Sequence, residues 1–498
     1  MRTDLGEIRS LVPASLDHNR SRPGRFAILS ALSVAAFLAM AAPLDAQFIY
    51  VANANSNNIS GYSLGANGAL TPVPGSPFAT GTNPACVAVD PTAKFVYVAN
   101  EDISGSVSAY SIGSNGALTP IAGSPFAAGS EPESVVVDPK GKFVYVANEQ
   151  SNTISAYKIS SKGALSPVAG SPFAAGSGSD SVAIDPTGKF AYVANVNGNN
   201  VSAYHIGSNG ALTPITGSPF AAGNEPVGVT VDPTATFVYV ANRGDNTIWA
   251  YSIDSKGALT PVMGSPFPAG GGAESVTVTP TGDFAYVGTE VGGTFAYSIA
   301  LDGALTSVTG SPFSGNFTIS VAIDPTAKFA YVTSFTGNTL LAYGIGSDGA
   351  LTPVTGSPFV TGSGPFSVRV TPLVPFAVSS ATLSTSTGSP PTFELTDSFT
   401  LGVNSNGIDP VTENVTLHIG SLSVTIPAGD FTQMPDGSFA FDGTIKGVTY
   451  DITIVPLGNN QFKLTANGTG VDLSTLGKRV TTVLTVGIDS GTVKARHK

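Results

Sequence analysis

Glu133, Asp180 and Glu274 are separated by 47 and 94 residues, once and twice a common interval. Each precedes a short β-branched run: Ser134-Val135-Val136-Val137, Ser181-Val182-Ala183-Ile184 and Ser275-Val276-Thr277-Val278. In the other copies of the run the same place is taken by Ala85, Val227, Ile319 and Phe366. Carboxylates gathered at one place can do two kinds of chemistry. Hard cations take carboxylate and carbonyl oxygens, so Glu133, Asp180 and Glu274 are candidate ligand-binding and metal residues for a divalent cation such as calcium, or for a cationic group. A carboxylate pair also serves as general acid and base, which makes Glu133 and Asp180 candidate catalytic residues. The bland alternative is solvated loop charge. Arg369 is a further candidate, because it interrupts a run where the other copies carry Ala88, Val136, Ala183, Thr230, Thr277 and Ala322. A buried guanidinium must be paired, so Arg369 is expected to form a structural pair or to contact an anion. Glu131 and Glu225 lie in the same loops. Asn53, Asn100, Asn148, Asn195 and Asn242 end a second kind of run, where satisfying turn backbone explains their regularity.

A repeat must position these side chains. The tetrapeptide GSPF begins at Gly75, Gly123, Gly170, Gly217, Gly264, Gly310 and Gly356. Between its copies lie four β-type segments, such as SVVVDP, KFVYVAN, TISAYKI and ALSPV within residues 134–168. Turn chemistry separates them. Asp138-Pro139-Lys140-Gly141 joins the first two, with Pro presetting one dihedral and Gly accepting positive φ. Pairs such as Asn67-Gly68, Asn115-Gly116 and Asp302-Gly303 join the last two and are strong hairpin signals. Four strands in a period of 46 to 48 residues predict a β-propeller blade, and seven units predict seven blades. GSPF is expected to return the chain to the centre, with its Phe between neighbouring sheets. The first unit starts at Phe48 in its second strand, so the leftover inner strand, residues 366–371, is expected to pair with residues 48–53 and remove the free edges.

Tyr97-Val98-Ala99-Asn100 and Tyr145-Val146-Ala147-Asn148, the latter behind its Asp-Pro-x-Gly turn, closely resemble the YVTN and lactonase type of seven-bladed propeller. That family includes 6-phosphogluconolactonase-like and carboxymuconate-cyclase-like enzymes and also surface-layer proteins. The resemblance covers residues 47–372 and implies the fold, with lactone hydrolysis as one activity the fold hosts. Lactonase-type relatives place a Pro-Arg-His pattern in some of the loops before inner strands. The matching segments are Pro132-Glu133-Ser134 and Pro226-Val227-Gly228, and no copy has His. The propeller region holds one His, His205, expected at the solvent on the opposite face, and two Arg, Arg243 and Arg369.

The composition agrees with an all-β chain. Only 11% of the 498 residues are charged, 42% are hydrophobic, and Gly and Pro number 58 and 36. This is too apolar for disorder and too punctuated for long helices. A net charge of −11 argues against a nucleic-acid partner, which needs Lys and Arg stripes. Cys86 is the sole cysteine, so no intrachain disulfide forms. Arg20, Arg22 and Arg25 precede an apolar run from Phe26 to Pro43, which reads as a signal peptide or leader over residues 1–46, with cleavage near Ala46 and no membrane span afterwards. The expected organisation is a propeller at 47–372, a linker at 373–391 and a small β-sandwich-like domain at 392–498. The expected role is an exported binding or interaction module, periplasmic, secreted or at the cell surface, that holds a small-molecule or cell-surface ligand at the channel mouth and requires no cofactor, a divalent cation such as calcium being an optional ligand. A lactone hydrolase, a carboxylic ester hydrolase by reaction, is the alternative.

Overall fold

The computed structural model describes residues 47–497 except 316, 373, 376, 387, 402–407, 409, 412–413, 421, 446, 459–460, 472, 474–478 and 487–488. The leader expected at residues 1–46 lies outside the described residues.

Seven antiparallel sheets have the order inner, second, third and outer strand. In blade 3 these are Pro132–Val137, Phe143–Asn148, Thr153–Ile159 and Leu165–Pro167. The second strands show no apolar-polar alternation, and Phe143–Asn148 is buried along its whole length. A strand in the middle of a sheet that has another sheet on each face must be apolar on both sides. Tyr50, Tyr97, Tyr145, Tyr192, Tyr239, Tyr286 and Tyr331 are fully buried there. Each Tyr hydroxyl donates to the carbonyl of the turn glycine in the next blade: Tyr50 to Gly116, Tyr97 to Gly163, and so on to Tyr331 with Gly68, at 2.8–3.1 Å. The last of these bonds spans the closure, so the ring of seven is complete.

Blade 1 is closed by both ends of the propeller. Pro365–Val370 pairs with Phe48–Asn53 in the register Ile49 to Val370, Tyr50 to Arg369, Val51 to Val368 and Ala52 to Ser367. Thr371 extends it, its N–H donating to Phe48 O and its Oγ1 accepting from Phe48 N–H. GSPF returns the chain as expected, with additional roles. Its Ser–Pro bond is cis in all seven copies. The Ser Oγ accepts a backbone N–H of the third strand at 2.8–3.0 Å, as from Gly61 to Ser76 and from Ala342 to Ser357. Phe78, Phe126 and Phe173 are half-buried and pack on the inter-blade cores.

Beyond the propeller the strands join one sheet in the order Leu422–Ile426, Val415–Ile419, Arg479–Val486, Asp489–His497, Ala377–Ser386, Thr392–Thr400, Gln461–Thr469, Val448–Gly458, Phe439–Ile445 and Thr432–Gln433. A single core draws on strands toward both ends of this order, including Ile419, Ile426, Leu395, Ile452 and Phe439. The segment expected as a linker at 373–391 is instead largely strand, since Ala377–Ser386 pairs with Thr392–Thr400. Its Ser and Thr content resembles low complexity, yet Ala381 and Leu383 alternate with them and are buried. Period-two burial makes it one face of a sheet.

Candidate functional site

At one end of the propeller each blade offers three backbone-equivalent places. The first is a left-handed residue before the inner strand: Asn83, Glu131, Gly178, Glu225, Gly272, Phe317 and Gly364, with φ between +48° and +68°. Two residues on comes the start of the inner strand: Ala85, Glu133, Asp180, Val227, Glu274, Ile319 and Phe366. The third follows the buried Asn, or its Thr or Ser replacement, at the end of the second strand: Glu101, Glu149, Val196, Arg243, Glu290, Phe335 and Ala54. In six blades the third residue donates its N–H to the carbonyl of the first at 2.7–3.0 Å, as from Glu149 to Glu131 and from Phe335 to Phe317. The backbone therefore repeats while the side chains do not. In a molecule whose Tyr, Asn and Gly positions recur blade after blade, such divergence marks where each copy has a task of its own.

The divergent side chains are sorted by blade. Blades 2 to 6 supply Glu101, Glu133, Glu149, Asp180, Glu274 and Glu290, with Arg243 among them, and blades 7 and 1 supply Ile319, Phe335 and Phe366. One cavity of about 350 Å³ is lined by Glu133, Asp180, Glu274 and Arg369 together with Ile319 and Phe366. All four residues singled out from the sequence thus meet there. Glu101 and Glu149 also line it and were missed. Their signal was available as the residue after each second-strand Asn.

The carboxyl groups perturb one another. Burial, then the charges of Asp180, Glu101 and Glu149, push Glu133 well above the usual carboxylate range. Burial, then Glu149 and Glu274, do the same to Asp180, against the opposing pull of Arg243. Glu274 is pushed up to about 7 by burial and by the neighbouring carboxyl group of Glu290. Glu101 is raised as well, by burial and by the charge of Glu131, with Glu133 beside it. Arg243 Nε lies 3.2 Å from Glu225 Oε2, and its Nη1 lies 3.9 Å from Glu274 Oε1. Gln150 donates to Glu131 at 3.2 Å. Crowded acids in a confined space hold protons because ionising all of them leaves like charges poorly solvated.

Below this tier, Ser134, Ser181, Ser320 and Ser367 accept the backbone N–H of Val182, Val229, Val368 and Val87 from adjacent inner strands at 3.2–3.3 Å. Cys86 stands in the corresponding place in blade 2. These hydroxyls fasten the channel wall.

Arg369 departs from expectation. It is exposed, not buried, because an inner strand faces the channel, and its guanidinium there needs no buried partner. It lines both the mouth cavity and a second one of about 230 Å³ with Thr277, Ala322 and Val370. The Asn set is structural: Asn53 donates to Asn58 and Ser60, and Asn148 to Thr153 and Ser155. His205 is exposed and packs edge-on to Phe190, with ring centroids 6.1 Å apart. Among the described residues no group of three or more His, Cys, Asp or Glu is placed to hold a metal ion. The carboxylates form an arc and do not converge on a point.

A propeller of seven four-stranded blades, with its divergent residues around one channel mouth, defines a class. The family model "Lactonase, 7-bladed beta-propeller" matches residues 47–181 and 162–271. The chain is a seven-bladed β-propeller with an additional C-terminal β domain, and over residues 47–271 its propeller is similar to the lactonase type. Among solved structures, a Bacteroides uniformis protein assigned as a 6-phosphogluconolactonase is similar with a TM-score of 0.59 and 18% identity, over 66% of this chain and 99% of that one. A periplasmic gluconolactonase of Pseudomonas aeruginosa gives 0.56 and 17%, over 65% and 99%. A Lactobacillus plantarum protein gives 0.56 and 22%, over 65% and 99%. No curated protein matches the chain.

Proposed function

We propose that this propeller hydrolyses a lactone bearing no phosphate, at the channel mouth. The observation that carries the reading is that Glu133, Asp180 and Arg369 line one cavity. A carboxylate of the arc takes a proton from water as its oxygen attacks the lactone carbonyl. The Arg369 guanidinium offsets the negative charge that develops on the carbonyl oxygen. A neighbouring carboxyl group, holding its proton because of burial, gives it to the leaving alkoxide, and the ring opens to a hydroxy acid. Two of the similar structures are named for phosphogluconolactone and gluconolactone hydrolysis. For this chain the acid arc favours an uncharged lactone, since a phosphate dianion would meet the five carboxyl groups that line the cavity. Export by the leader is part of the same proposal.

The test is turnover of a panel of phosphorylated and unphosphorylated sugar lactones, corrected for spontaneous opening. Opening of the unphosphorylated members alone, reduced at least about a hundredfold in Glu133→Gln or Asp180→Asn, supports the reading. A second reading, a cell-surface or periplasmic binding module, is favoured by the lack of a Pro-Arg-His segment and by the engagement of Arg243 with Glu225 and Glu274. It prevails if no lactone is turned over.

A further inference from the structure

The mouth has a second wall that lactone chemistry leaves unused. Phe335 lies between Phe317 and Phe366, with ring centroids 5.5 Å and 6.1 Å away and interplanar angles of 58° and 82°. The three rings come from the three equivalent places described above, in blades 7 and 1, where other blades place Asn83, Glu101 or Glu133. All three are half-buried, and Phe366 lines the cavity with Ile319. Apolar surface at a channel rim costs free energy unless something covers it, and no other blade places an aromatic ring at any of these three positions.

We infer that the mouth binds an organic ammonium ion carrying an apolar substituent, the charge held by the arc of Glu101, Glu133, Glu149, Asp180 and Glu274 and the substituent laid against Phe366 and Phe335. This rests on the reading of the mouth as the ligand site. A bare metal ion needs oxygens converging at 2.0–2.6 Å, and no such group exists among the described residues. An alkylammonium ion is larger and less strongly hydrated than a metal ion, so it tolerates carboxylates at several directions and longer range. It also gains from aromatic faces through cation–π attraction and from apolar contact. Five carboxyl groups line the cavity against two guanidinium groups, Arg369 and Arg243, and Arg243 is engaged by Glu225 and Glu274. A cavity of about 350 Å³ falls in the range of small-molecule sites.

The test is calorimetric titration of the full-length protein with matched probes at pH 8. Choline against 3,3-dimethylbutan-1-ol isolates the charge at nearly constant shape, and benzyltrimethylammonium against tetramethylammonium isolates the aromatic wall. Choline is expected to bind at least tenfold tighter than its neutral isostere, and benzyltrimethylammonium several-fold tighter than tetramethylammonium. Glu133→Gln/Asp180→Asn should remove the first difference, and Phe335→Ala the second while leaving the first. Equal affinity within both probe pairs overturns the proposal, as does a choline preference that survives the double substitution. The probe pairs need no variant, so a misfolded variant does not decide the matter. Calorimetry reads binding without turnover, so a negative lactone assay and a negative titration are separate outcomes.

Discussion

Glu274 illustrates how a carboxyl group at the mouth ties site chemistry to stability. Its pKa is pushed up to about 7 from an ordinary 4.5 by burial and by Glu290. A carboxyl group that holds its proton more firmly in the folded than in the unfolded chain favours the fold while protonated. That contribution is complete below about pH 4.5 and is lost as the pH rises through about 7. Glu133 and Asp180, also raised, act in the same direction. The melting temperature should therefore fall between pH 5 and pH 8, and Glu274→Gln should flatten the profile, with a gain on the order of 1–3 kcal/mol at pH 8 and little at pH 5. A steeper profile in the variant would contradict this. Arg243 has the opposite sign, since its charge eases the ionisation of Glu274 and Asp180. Its side chain is 38% exposed, so Arg243→Gln should cost no more than about 1 kcal/mol, at pH 8 and not at pH 5.

The blade is the element that turns these residues into a site, and the seam between blades 7 and 1 is where its integrity is most testable. Tyr331 donates to Gly68 O across that seam at 3.1 Å. Tyr331→Phe removes one buried hydrogen bond and should cost about 1 kcal/mol in denaturant unfolding. Gly68 has φ +82°, and a Cβ there would lie 2.4 Å from the Phe329 ring. Gly68→Ala should therefore cost more than Tyr331→Phe, about 2 kcal/mol or above, from dihedral strain and overpacking together. If both substitutions leave the denaturation midpoint unmoved, the seam does not contribute to closing the ring. Asn-Gly was legible in the sequence as a hairpin signal; that its glycine also receives a tyrosine hydroxyl and a phenylalanine ring from neighbouring blades was not.

For the molecule as a whole, a net charge of −11 and an acidic arc focused at one mouth should draw cations to that end. The association rate of benzyltrimethylammonium should fall as NaCl rises from 10 to about 300 mM, where the Debye length shrinks from about 30 Å to below 8 Å, while that of an uncharged probe stays level. Periodicity and turn chemistry were enough to read seven blades, the four strands of each and the closure of residues 48–53 by the last inner strand. Each of these depends on local backbone preference and on a pattern repeated seven times, and a linear chain displays both. The 47-residue interval also marked Glu133, Asp180 and Glu274 as equivalent. Other features depend on curvature, which no linear pattern records. Residues 377–386 looked like a linker until pairing with 392–400 gave their alternation two faces. Arg369 looked buried because its strand is apolar, but the ring turns that strand toward a channel. Phe317, Phe335 and Phe366 are separated by 18 and 31 residues and meet only because blades 7 and 1 stand side by side once the circle is closed.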